Sequence, residues 1–309
     1  MRVRAKGIIM KLSITPQTKA QADPFIFEDD GKFYIYATAS KGVDAYYAED
    51  LFGEWTYKGI VTDFEGAKNF WAPSVIKIDG AYYMYASCEY ENNRQLLRVF
   101  KSSSPLGPFV HIKTLFDYFS IDSHVVQNEN GLFLWFAKNN TETDRIGTRI
   151  FIVRLLTPTE LENDGKEMIV PTFDEEFFTP SCTPERKWHT IEGPTYFYED
   201  GYHYVMYSGG CYLDDTYHVG YAYCKSDETD LTKLTLTKYT DGDKFAPVII
   251  KNEFEEGTGH HSVIKYKGEY YAIYHARDYG ADTYARTARI CRLTVKNGII
   301  TAHRYTDKV

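Results

Sequence analysis

Three carboxylates and an imidazole recur at one spacing. Asp23, Asp122, Glu192 and His260 each stand eight or nine residues before a glycine that ends a turn signal, namely Gly31, Gly131, Gly201 and Gly268. The pair Trp71-Ala72 holds the same place before Gly80. Like charges gathered in one pit repel, so such a set is costly unless the site uses them or cations offset them. Two carboxyls of opposed protonation state are the working parts of glycoside hydrolysis. One stays ionised and activates water or attacks carbon; the other is held protonated and feeds a proton to the leaving oxygen. A third carboxylate nearby raises the pKa of the acid by repulsion.

Residues so far apart meet only if the fold repeats. The stretches DPFIFEDDGKFYIYATAS, APSVIKIDGAYYMYASCE, DSHVVQNENGLFLWFAKN, EGPTYFYEDGYHYVMYSG and HHSVIKYKGEYYAIYHAR share one layout. Each has a short apolar run, a polar-Gly turn and an aromatic strand, and Asp-Gly turns are strong hairpin signals. The turn glycines lie 49, 51, 70 and 67 residues apart. Two further strand candidates follow each hairpin, among them RQLLRVFKS, TRIFIVRLL, HVGYAYCKS, KLTLTKYT and ARICRLTV. This pattern predicts an all-β, five-bladed β-propeller with four antiparallel strands per blade. First strands line the axis of such a ring, so their matching ends converge on one mouth. Helical periodicity is weak, with at most one helical turn within 157–165. Residues 1–20 form an N-terminal segment that could lend a strand to the last blade, and 21–309 form the propeller.

Composition narrows the partners. The 309 residues carry 35 Lys plus Arg against 43 Asp plus Glu, a net charge of -8, with no basic run. Nucleic acid and anionic membrane surfaces are therefore excluded as main partners. The 27 tyrosines serve strand formation, and some suit a sugar cleft. Cys88, Cys182, Cys211, Cys224 and Cys291 are scattered and form neither a CxxC pair nor a disulfide framework, which implies reduced thiols. The basic head MRVRAKGIIMKLSIT lacks a cleavage site, and no stretch is long enough to span a bilayer, so a cytoplasmic protein is expected.

ADPFIFEDDGKFYIYAT, WAPSVIKIDGAYYMYAS, IEGPTYFYEDGYHYVMYSGG and GTGHHSV resemble, in order and over nearly the whole chain, the blade motifs of glycoside hydrolase family 43. The resemblance implies a five-bladed propeller that hydrolyses α-L-arabinofuranosides, arabinan or β-xylosides with inversion. It implies that Asp23, in Ala-Asp-Pro, is the general base and that Glu192, in Glu-Gly-Pro, is the general acid. Asp122 matches the aspartate that tunes and orients the acid, although Ser123 stands where the family has proline. His260 resembles an axial histidine that holds calcium in many members, with His261 as its alternate; calcium or chloride near it is an expectation, and no cofactor is implied for the chemistry. Trp71 resembles an aromatic wall for the sugar. Arg286 matches an arginine that reaches the sugar or the carboxylates, with Arg289 and Arg292 as competitors. Trp135 and Trp188 are further candidates for the rim.

Inversion requires room for water, so the two working carboxyls are expected roughly 6.5–9.5 Å apart. Family xylosidases often carry a β-sandwich after the propeller, for which this sequence has no space, favouring an exo-acting α-L-arabinofuranosidase on pentose oligosaccharides. The alternatives are a β-xylosidase, an endo-1,5-α-L-arabinanase or a non-catalytic carbohydrate-binding propeller. The last could lose an acid without penalty, yet all three are present. A phosphorolytic site would need a basic cluster, and the mouth positions are acidic.

Overall fold

The computed structural model describes residues 8–9, 12–15, 19–91, 94–178 and 188–306. The chain is built almost wholly of antiparallel strands. Five inner strands, Ala22–Asp29, Lys68–Ile78, Ser120–Asn128, Trp188–Glu199 and Glu255–Tyr266, each open a hairpin. Each touches the next, and the last returns to the first. Five apolar clusters lie between neighbouring sheets. Tyr36 and Ala45 meet Met84 and Phe100; Tyr85 and Val99 meet Leu134 and Val153; Trp135 and Ile150 meet Val205 and Tyr207. Met206 and Val219 then meet Tyr274 and Cys291, and Ile35 and Trp55 meet Ile273 and Ile290, which joins the last sheet to the first. Most of the tyrosine content is spent here: Tyr36, Tyr46, Tyr85, Tyr204, Tyr207, Tyr221 and Tyr274 are fully buried. Their hydroxyls find partners, as a buried phenol must; Tyr36 donates to Pro105 O at 2.6 Å and Tyr85 to Pro158 O at 2.7 Å, whereas Tyr204 accepts the Gly298 N–H at 3.0 Å.

The hairpin turns follow the sequence signal in four units. Asp30-Gly31, Asp79-Gly80, Asp200-Gly201 and Lys267-Gly268 have positive φ at both residues, as the tight hairpin turn demands. The third differs: its turn is Glu129-Asn130, and Gly131 already opens the strand Gly131–Asn140. Outside the hairpins, the segments depart from a simple four-strand repeat. Residues 157–165 hold no helical turn; Thr157 pairs back with Glu160, and the short 3-10 turns lie at Asp174–Glu176 and Leu231–Lys233. KLTLTKYT supplies the two-residue strand Thr237–Lys238 and the first residue of Thr240–Asp241 in place of one continuous strand. Leu231 and Leu234 instead drop into the core, held by a turn that Asp230 caps.

The third and fourth sheets are stitched together where Gly147 and Thr148 run parallel to His189 and Thr190. A Cβ on Gly147 would sit 1.8 Å from the His189 carbonyl oxygen, so the contact requires glycine. Near the N-terminus, Ser13–Thr15 runs parallel to Glu54–Thr56, and Ile8–Ile9 pairs with Tyr305–Thr306. Cys88, Cys211, Cys224 and Cys291 are unpaired thiols; Cys182 lies outside the described residues. Among the described residues no helix is long and apolar enough to cross a membrane.

Candidate active site

Every inner strand breaks register at the same place. The breaks fall between Ala22 and Phe25, Trp71 and Ser74, Ile121 and His124, Glu192 and Thr195, and Gly259 and Ser262. Two residues on the inner strand thus go unpaired, as in a bulge that re-aims a side chain. The first of the two is left-handed in all five: Asp23 (φ 54°), Ala72 (43°), Asp122 (58°), Gly193 (59°) and His260 (44°). The second is Pro24, Pro73, Ser123, Pro194 or His261, and a proline loses nothing where no ladder bond is made. A non-glycine residue in this conformation costs about 1–2 kcal/mol, and aspartate tolerates it best. Such strain persists where the surroundings over-determine it, which is typical of functional sites.

Those surroundings are polar groups donated by the neighbouring sheet. The residue facing the pre-bulge position on the second strand is Thr38, Ser87, Ala137, Ser208 or His275. Thr38 Oγ1 accepts the Ala72 N–H at 2.9 Å, and Ser208 Oγ accepts the His260 N–H at 2.7 Å. His275 Nδ1 accepts the Asp23 N–H at 3.1 Å. Ala137 has no acceptor to offer, and Asp122 Oδ2 takes the Gly193 N–H instead, at 3.1 Å. Four of the five bulges, at Asp23, Ala72, Gly193 and His260, are therefore locked across sheet boundaries, and one candidate acid is itself part of the lock.

Asp23, Asp122, Glu192, His260, Arg286 and Trp71 all line one cavity of about 160 Å³, with Thr38, Ile121 and Tyr212. Asp23, Asp122 and His260 occupy the bulge position; Glu192 stands one residue earlier, in register with Trp71 and Ile121. Arg286 Nη1 lies 3.0 Å from Asp23 Oδ1, and Thr38 donates to Asp23 Oδ2 at 2.5 Å. The Arg286 guanidinium covers the Tyr212 ring at 4.8 Å. Its backbone carbonyl accepts the Gln21 N–H at 2.8 Å, tying this loop to the first inner strand. Tyr217 donates to Glu192 Oε1 at 2.7 Å. The competitors fall elsewhere. Arg289 is buried against Glu255 and Asp278, and Arg292 pairs with Glu269 at the surface. Trp135 is core, and Trp188 pairs with Phe178 away from this cavity.

The carboxyls are driven apart electrically. Burial alone would raise Asp23, but Arg286, with His260 and His275, outweighs it and holds this carboxyl well below the usual carboxylate range. Burial lifts Glu192 to about 7; the Tyr217 hydrogen bond opposes the rise, the Asp23 charge adds to it and Arg286 again opposes it. Asp122 is also pushed well up, by burial and then by the charges of Glu192 and Asp23. Ligand atoms of Asp122, Glu192 and His260 lie within 4.8 Å of one another, close enough for one charge to suppress the next. The His260 imidazole is kept neutral by burial, against the pull of Asp23.

Below the mouth, a cavity of about 20 Å³ is lined by Ser123, His124, His260 and His261 among others. This is room for one water-sized guest. Both ring nitrogens of the buried His261 lack a protein partner. Calcium takes six to eight oxygens, whereas the imidazoles offer nitrogen, and three of the four nearby aspartate oxygens, both of Asp23 and Oδ2 of Asp122, are bonded to Arg286, Thr38 and Gly193. The donor set fits calcium poorly and a single water well. Exhaustive chelation is therefore expected to leave kcat and Tm unchanged, and a drop reversed by added calcium would reject that reading.

An ionised carboxylate and a protonatable one facing a single small cavity form the working pair of a glycoside hydrolase. The chain matches the glycosyl hydrolases family 43 over residues 16–300 and belongs to that family, whose members are inverting enzymes. It is similar to a xylosidase/arabinosidase of Bacteroides ovatus, 24% identical over 88% of this chain and 91% of that one. A probable arabinan endo-1,5-alpha-L-arabinosidase C of Aspergillus clavatus is 38% identical over 73 residues, 21% of this chain and only 23% of that protein's length. Among solved structures, a thermostable family-43 glycoside hydrolase superposes with a TM-score of 0.82 at 26% identity, covering 96% of this chain and 97% of the other. The fold is accordingly a β-propeller.

Proposed function

We propose that this chain is an inverting, exo-acting α-L-arabinofuranosidase that trims pentose oligosaccharides. Asp23 activates the water, Glu192 protonates the leaving oxygen, and Asp122 orients that acid and tunes its pKa. The observation that carries the reading is the electrical contrast within one cavity: Asp23 is stabilised as an anion by Arg286, while burial holds Glu192 at about 7. Trp71, 37% exposed at the rim, offers an apolar face for the sugar, and Arg286 steadies the base. The size of the cavity supports exo action. At about 160 Å³ it is smaller than the roughly 300–1,000 Å³ of sites that engulf drug-sized ligands, and closer to one sugar ring than to several. The five bulged inner strands and the five clusters shared between sheets support a ring of five blades, nominally four strands each, over 21–309.

The substrate is tested with nitrophenyl glycosides, α-L-arabinofuranoside beside β-xyloside, and with linear arabino-oligosaccharides. Release of arabinose one unit at a time is expected. A preference for the xyloside would favour the xylosidase activity, one of the two in the name of the Bacteroides relative, and mid-chain cleavage that in the name of the Aspergillus one. The pH profile has a stated sign. Glu192 must be protonated to donate, so kcat/KM is expected to fall as pH rises through about 7. Asp23 stays ionised well into the acid range, so no matching loss is expected at mildly acidic pH. A profile that rises through pH 7 would exclude Glu192 as the donor.

A further inference from the structure

Tyr217 stands just ahead of the strand His218–Lys225 and is 1% exposed. Its hydroxyl has one hydrogen, and Glu192 Oε1 accepts it at 2.7 Å. The ring has nowhere else to go. One face stacks on His275, with centroids 5.6 Å apart and planes at 10°. Another side abuts Gly259 so tightly that a Cβ there would lie 2.1 Å from a ring carbon. The Tyr217 carbonyl is fixed by Thr258 Oγ1 at 3.3 Å. His275 in turn accepts the Asp23 N–H. A single stack of two buried rings thus touches one carboxyl through a hydroxyl and the other through its backbone.

We propose, resting on the assignment of Glu192 as general acid, that Tyr217 is a positioning residue that occupies Oε1 and thereby leaves the transferable proton on Oε2. A carboxyl in a cavity can rotate and can carry its proton on either oxygen; only one arrangement serves the leaving group. A donor pinned on one oxygen removes that freedom. The same bond favours the carboxylate, because a hydroxyl donates more strongly to the charged form. Tyr217 therefore offsets part of the burial effect on Glu192. The other groups bearing on this carboxyl are Asp23, Asp122, His260, Arg286 and Tyr212, and none of them donates to Oε1.

The test is Tyr217→Phe, which deletes one oxygen and keeps the ring. Two changes of opposite sense are expected. Turnover of a substrate with a poor leaving group falls by roughly tenfold or more, the scale of one hydrogen bond to a charged group, with KM little altered. The basic limb of the pH profile moves up, by about half a pH unit or more, because the acid loses the donor that favoured its anion. A dinitrophenyl arabinoside, which hardly needs protonation, keeps most of its rate. A limb midpoint and a leaving-group ratio do not depend on how much of a preparation is folded. Should Tyr217→Phe give no folded protein, Gly259→Ala pushes the same ring off its seat and is expected to shift both readouts the same way. Glu192→Gln is run alongside. An inactive Glu192→Gln beside a Tyr217→Phe with wild-type limb and ratio overturns the proposal alone. A fully active Glu192→Gln overturns the assignment of the acid and the proposal with it.

Discussion

Asp23→Asn is expected to lower kcat on every arabinoside by about 10²–10⁴-fold, the range of a lost general base, while the protein stays folded. Asparagine keeps the volume, tolerates the left-handed backbone at this bulge, and still accepts the Thr38 hydroxyl. It removes only the charge. The amide cannot take a proton from water, and the Arg286 guanidinium beside it loses its counter-ion. The loss should be alike for good and poor leaving groups, because activation of water is needed in both cases. Steady-state kinetics on two arylglycosides, with a melting curve to confirm folding, decide the matter. An Asp23→Asn enzyme of near-normal kcat would remove the base from the scheme and, with it, the reason for Arg286 to stand there.

Glu192→Gln should differ in kind. Oligosaccharides, whose departing alkoxide must be protonated, are expected to lose about 10²–10⁴-fold in kcat. A dinitrophenyl arabinoside should lose far less, since its leaving group departs as a stable anion. The wild-type fall in activity above pH 7 should also vanish with that substrate, as the group that titrates there has gone. Equal losses on both substrates would show that Glu192 does something other than give a proton. The two variants together separate the roles: one is blind to the leaving group, the other is governed by it.

Much of this site was legible because its residues sit on a repeat. Asp23, Asp122 and His260 share one backbone position, seven residues before the first residue of the turn in every unit. A fixed offset from a turn is a signal that survives the long gaps between copies. The third copy misled in detail, since Gly131 follows its turn rather than closing it. Glu192 falls within the same eight-to-nine-residue spacing although it lies one residue out of step, and its Glu-Gly-Pro context implies its role by resemblance. Its carboxyl enters the same cavity from the pre-bulge position, where Trp71 and Ile121 also line the wall.

What escaped was the support. Thr38, Ser208 and His275 lie on aromatic strands that read as core, and Tyr217 is one tyrosine among 27. Yet a cue was present: in four of the five copies the second strand carries a polar residue, Thr38, Ser87, Ser208 or His275, at one register position, and all of these but Ser87 accept a bulge N–H. A buried polar residue repeated in register marks a hydrogen-bond duty. The weak outer strands were unreadable for another reason. KLTLTKYT alternates well enough for a strand, but its own Leu234 and the preceding Leu231 had a better burial site at a capped turn, and tertiary packing won.

The locks between sheets carry a consequence for how this enzyme comes into being. Asp23 belongs to the first hairpin made, but its amide is held by His275 and its carboxylate by Arg286, more than 250 residues later in the chain. The setting of Asp23, the proposed base, is therefore unfinished until the first and last sheets join. A refolding chain would regain most of its strand signal before it turned over any sugar, and catalysis would arrive last, as the report that the first and last sheets had met.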